Sequence, residues 1–66
     1  MTKIRELRQD LKRSILDMSY DIRVSSSVIS AVERKKMTAP ARVKEAISSF
    51  FKVQESEIFD DNGFAI

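Results

Sequence analysis

A chain of 66 residues holds one domain and one hydrophobic core, near the size at which folding becomes marginal. It has no cysteine and no histidine, which removes thiolate nucleophiles, imidazole bases and the usual zinc ligands together. The net charge of +2 is unevenly placed, with +6 in residues 1–44 and −4 in residues 45–66. That split suits a module that meets a polyanion with one side.

The first apolar positions, Ile4, Leu7 and Leu11, recur three and four apart with charges between them, and predict an amphipathic helix from Lys3 to about Lys12. Ser14 followed three residues later by Asp17 reads as a capping box that opens a second helix near Ile15. Met18 and Ile22 face inward, so this helix ends at about Ile22 or Arg23. Val24 and a run of serines then form a turn, with Ser25 as the cap of a third helix. On that helix Val28, Ile29 and Val32 form the apolar stripe, Ser26, Ser27, Ser30 and Ala31 the other side, and Arg34-Lys35-Lys36 the end.

Pro40 belongs in the first turn of a fourth helix, where its missing N–H costs nothing, and Thr38 or Ala39 is expected to cap it. Val43, Ala46, Ile47, Phe50 and Phe51 mark its buried stripe to about Lys52. A short turn of helix from Ser56 to Phe59 precedes Asp61-Asn62-Gly63, which breaks the chain and leaves residues 61–66 as a short, loose tail. Five short helices and no strand pattern make an all-α domain over residues 1–60.

No metal or cofactor is expected, because Glu55, Glu57, Asp60 and Asp61 lack the glycine-containing spacing of a calcium loop. Without a visible acid–base pair or nucleophile, no enzyme is expected either. No apolar run reaches membrane-spanning length, and Met1-Thr2-Lys3-Ile4-Arg5 leads straight into charge, so neither a signal peptide nor an anchor is expected. The lack of cysteine fits a reducing cytoplasm.

The stretch Ser14-x-x-Asp17-Met18-Ser19-x-x-Ile22-x-Val24-Ser25-x-x-x-Ile29-Ser30-x-Val32-Glu33-Arg34 resembles the helix-turn-helix of the lambda-repressor and Cro family, the xenobiotic-response-element type. The likeness takes in Ile4-Arg5-x-Leu7-Arg8 before it and Phe51-Lys52-Val53 with Glu57-Ile58-Phe59 after it. It implies a compact five-helix domain and a sequence-specific transcriptional regulator of double-stranded DNA, a repressor or Cro-like switch of phage or mobile-element type. Such a protein works in the bacterial cytoplasm at the nucleoid, as a homodimer on an inverted repeat.

Carried over by position, the resemblance assigns base reading in the major groove to Ser26, Ser27, Ser30 and Ala31. Phosphate contacts fall to Ser25, Arg34, Lys35, Lys36 and Arg42. Glu33 is implied as a brace for the recognition helix, paired with a basic residue of helix one such as Arg8. Phe59, Phe64 and Ile66 are expected dimer contacts, being apolar groups that so small a domain can scarcely bury alone.

The sequence also departs from the family pattern. Ile15 stands in place of a phosphate-holding glutamine, Arg13 of an apolar residue, Leu16 of a polar one, and Arg23 and Lys35 of glycines. Ile15, Leu16 and Tyr20 are then either repacked core or a partner surface. Fold does not fix function, so a second reading stands beside the first: a protein-binding module, an antitoxin or anti-regulator, that uses this surface or the acidic carboxy-terminal segment. No room is expected for a ligand-sensing domain, so regulation is expected to depend on concentration, on degradation or on a protein antagonist.

Overall fold

The structure, a computed structural model, describes residues 1–66. Five helices follow one another: α1 (Lys3–Asp10), α2 (Ile15–Ile22), α3 (Ser26–Glu33), α4 (Ala41–Phe51) and α5 (Glu55–Ile58). The only extended pairing is a single antiparallel bridge between Phe59 and Ala65.

α1, α2 and α3 start where a local side-chain oxygen can take an orphan N–H group of the first turn. Thr2 accepts from Arg5 N–H at 3.4 Å before α1. The capping box before α2 is complete: Ser14 Oγ accepts from Asp17 N–H at 3.0 Å, and Asp17 Oδ2 accepts from Ser14 N–H at 3.2 Å. That backbone bond, and then the Ser14 hydroxyl, hold the Asp17 carboxyl below the usual carboxylate range, so it stays ionised at neutral pH. Before α5, Glu57 Oε2 accepts from Gln54 N–H at 2.7 Å, which places the helix one residue earlier than the predicted Ser56–Phe59.

Three other boundaries differ from expectation, one of them the end of α3, which stops at Glu33 and not in the basic triplet Arg34-Lys35-Lys36, because Lys35 turns left-handed. α1 stops at Asp10, because Leu11 caps it and Lys12 turns left-handed. α4 is capped by neither Thr38 nor Ala39: Pro40 is itself the cap and makes no side-chain capping bond. Ala39 is buried, and its N–H donates to the Gly63 carbonyl at 2.9 Å, so the residue is tied to the far end of the chain.

The helix ends share one device. Lys12, Arg23, Lys35 and Lys52 all adopt positive φ, between 55° and 61°. After α1, α3 and α4 a Schellman pattern follows, in which Arg13, Lys36 and Val53 N–H reach back to the carbonyls of Arg8, Ala31 and Ser48. Glycine is the usual residue there; a side chain in this conformation costs roughly 1–2 kcal/mol, offset in part by placing a cation at the negative end of a helix.

The core joins all five helices: Ile4, Met18, Ile29, Val32, Val43, Ile47 and Ile58 are buried, together with Ala39, Phe59 and Ala65. α2 packs most extensively on α3, and α4 contacts both α2 and α5. Phe50 and Phe51 meet edge to face with ring centres 5.0 Å apart. Leu11, expected in the core stripe, is instead 53% exposed, because α1 ends before it can turn inward.

Residues 59–66 are not a loose tail. Asp60 N–H donates to the Phe64 carbonyl, Ile66 N–H to the Ile58 carbonyl, and Lys3 N–H to the Ile66 carbonyl, at 2.8, 3.1 and 2.6 Å. Asp60 Oδ1 also accepts from Asn62 and Phe64 N–H, each at 2.9 Å. Gly63 makes the reversal with φ 90°, and a Cβ there would stand 3.5 Å from Thr38 Cβ and 3.6 Å from the Ala39 carbonyl oxygen. The segment is a hook that closes the bottom of the core with Phe59 and Ala65.

Candidate functional site

The site grows from the way α3 is held. Ser25, in extended conformation, accepts from Val28 N–H through its Oγ at 3.3 Å and lies 3.2 Å from Ser27 Oγ. A cap of this type contributes about 1 kcal/mol to its helix. Because the helical repeat separates the two faces, Ile29 and Val32 are wholly buried while Ser25, Ser26 and Ser27 are exposed. Ser30 and Ala31 are half-buried, at the edge of the same outward face. Val28 is also half-buried and packs against the core.

Behind this face, Arg8 and Glu33 brace α3 against α1. Arg8 Nη2 donates to Glu33 Oε1 at 2.9 Å and Arg8 Nε to Oε2 at 3.1 Å, a bidentate pair. Its side chains are 15% and 5% exposed, so the pair is largely withdrawn from water. Arg8 Nη1 donates further, to the Arg13 carbonyl at 3.1 Å, which fixes the connection between α1 and α2. The hydrogen bonds to Glu33 raise the Arg8 pKa above its already high ordinary value. No buried side-chain polar atom lacks a partner.

Arg13 fills its apolar position in an unexpected way. Its guanidinium carbon lies 5.5 Å from the centre of the Phe50 ring, and its Nη2 pairs with Asp21. The guanidinium lies within cation–π range of the ring, and its charge is met on α2. Composition and spacing carry no signal for this contact, which joins residues 37 positions apart.

Arg34, Lys35 and Lys36 are all exposed just past α3, and Arg42 is exposed in the first turn of α4. The three ion pairs of the molecule are Lys3–Glu6, Arg8–Glu33 and Arg13–Asp21, so none of these four cations is held by an acid. The backbone turn at Lys35 is closed by Lys36 N–H to the Ala31 carbonyl at 2.8 Å, which holds the basic segment against the end of α3.

The expected dimer residues do not form one surface. Phe59 is 4% exposed and belongs to the core, because the hook folds over it; this corrects its expected place at a partner interface. Phe64 is half-buried and Ile66 is 42% exposed. Of Ile15, Leu16 and Tyr20 on α2, Ile15 packs against the core, whereas Leu16 and Tyr20 are 56% and 76% exposed.

Two shallow depressions indent the surface, one along α1 and one beside Lys44 and Asp60, and neither includes a residue of α3. No group of His, Cys, Asp or Glu is arranged to hold a metal ion, and no helix is long and apolar enough to cross a membrane. No protein-family model, curated protein or solved structure matches the chain.

Proposed function

We propose that the chain is a sequence-specific double-stranded DNA-binding regulator of the helix-turn-helix kind, with α3 as its recognition helix. The observation that carries this reading is the division of α3: two wholly buried residues lock it to the domain, small polar side chains face outward, and unpaired cations follow its end. A helix that enters the major groove needs all three, a rigid back, short hydrogen-bonding groups at base edges, and positive charge for the phosphates beside them.

In this reading Ser26, Ser27 and Ser30 offer hydroxyls that donate or accept at base edges, and the Ala31 methyl fits a thymine methyl. Arg34, Lys35, Lys36 and Arg42, with Ser25, grip phosphate. One helix of 8 residues reads few base pairs, so selectivity calls for two copies on an inverted repeat. A repressor or Cro-like switch of phage or mobile-element type is the role this reading gives the module.

Titration of duplex DNA at several salt concentrations tests the assignment of roles. Lys36→Ala is expected to weaken binding to all sequences alike and to reduce the salt slope by about 0.9. Ser27→Ala is expected to leave that slope intact and to change the preferred base by about 1–3 kcal/mol at one position. A Lys36→Ala protein that kept its slope and shifted its preferred site would show that α3 is docked wrongly.

The exposure of Leu16 and Tyr20, one turn apart on α2, favours a second reading, a protein-binding module such as an antitoxin or anti-regulator. No affinity for duplex DNA at low salt, together with a tight protein complex lost on Tyr20→Ala, would select it.

A further inference from the structure

The four left-handed residues of the chain that are not glycine are all lysine or arginine. The favourable end of a helix dipole is common to all four, yet their settings differ. Lys52 lies between α4 and α5, whereas Arg23 lies in the connection from α2 to α3, two residues before the α3 cap, and Lys35 lies two residues past the end of α3. Arg23 is exposed and forms no ion pair. The two acids of α2 are already engaged, Asp17 with the Ser14 backbone and Asp21 with Arg13. A free cation therefore lies in the turn before α3 and another in the turn after it.

The dimensions give these two cations a use. α3 has 8 residues and is about 12 Å long, close to the width of roughly 12 Å of the major groove. Cations at both ends of a helix of that length meet the phosphates that wall the groove on either side. We propose that Arg23 is a phosphate-contacting residue whose strained backbone is kept for its charge, and that Arg23 and Lys35 together clasp the recognition helix across the groove. This inference rests on the DNA-binding reading above and adds Arg23 to the residues that carry it.

The experiment compares the wild-type chain with Arg23→Gly, Arg23→Lys and Lys52→Gly. Each is titrated by fluorescence anisotropy with a random-sequence duplex from about 50 to about 200 mM salt, and its thermal midpoint is measured. Glycine at either position relieves the left-handed strain, so both glycine variants are expected to gain about 4 °C in Tm. Arg23→Gly is expected to lose one phosphate contact, with the salt slope smaller by about 0.9 and affinity down about fivefold near 0.15 M salt. Lys52→Gly is expected to bind as the wild type does, and Arg23→Lys to keep the wild-type slope. Wild-type binding together with an unchanged slope in Arg23→Gly overturns this inference alone. A wild-type chain with no duplex affinity at low salt overturns the DNA-binding reading and this inference with it.

Discussion

Glu33→Ala is expected to destabilise the fold by about 3 kcal/mol, because it leaves the Arg8 guanidinium largely buried without its carboxylate. The value sits at the lower end for a broken buried pair, since Arg8 keeps 15% exposure and its bond to the Arg13 carbonyl. A domain of 66 residues has a total stability of about 3–10 kcal/mol, so the loss threatens the folded state itself. Urea denaturation is the direct check, and the thermal midpoint should fall by about 12 °C or more. The paired replacement Arg8→Met with Glu33→Leu removes both charges at once and is expected to recover most of the loss. A Glu33→Ala chain within about 0.5 kcal/mol of wild type would mean that the pair is worth no more than an exposed one.

Ile47→Ala is expected to cost about 3 kcal/mol for a different reason. Ile47 is wholly buried on α4, the helix that touches both α2 and α5. Truncation loses the transfer energy of the removed carbons and leaves a cavity in a close-packed core that can collapse only in part. Leu11→Ala provides the contrast: at 53% exposure it should change stability by less than about 0.5 kcal/mol. Equal losses for the two variants, by urea denaturation, would contradict the placement of the core. Both tests bear on function, since the outward face of α3 is positioned only as firmly as its supports.

What can be read from the sequence follows from the range of each interaction. The starts of α2 and α3 are legible because Ser14, Asp17 and Ser25 act within three residues of themselves, and a capping residue leaves its mark beside the helix it caps. The inward positions Ile4, Met18, Ile29, Val32, Val43 and Ile47 follow from helical spacing. Ala39 shows where this stops: its partner is Gly63, and no local pattern shows that the end of the chain returns to hold the loop before α4. For the same reason Phe59 reads as surplus apolar surface until the hook is seen to enclose it.

The candidate site divides in the same way. The serines of α3 and the basic triplet are visible as a pattern, because a helix displays its two faces at a fixed period. The pairing of Arg8 with Glu33 spans 25 residues and is legible only through the family resemblance, not through spacing. Arg13 over Phe50 is legible in neither way, since one long side chain there bridges two helices, meeting Phe50 on α4 and Asp21 on α2. Arg23 and Lys35 take left-handed φ values of 57° and 61°, a conformation for which glycine is the usual residue, and nothing in the spacing of the sequence marks either of them for it.

Selection of bound sites from a random DNA library tests most directly whether α3 reads duplex DNA. The expected result is enrichment of an inverted repeat whose half-sites are centred about 10 base pairs, or a multiple of one helical turn, apart. Recovered sequences that do not differ from the starting library at low salt would contradict it.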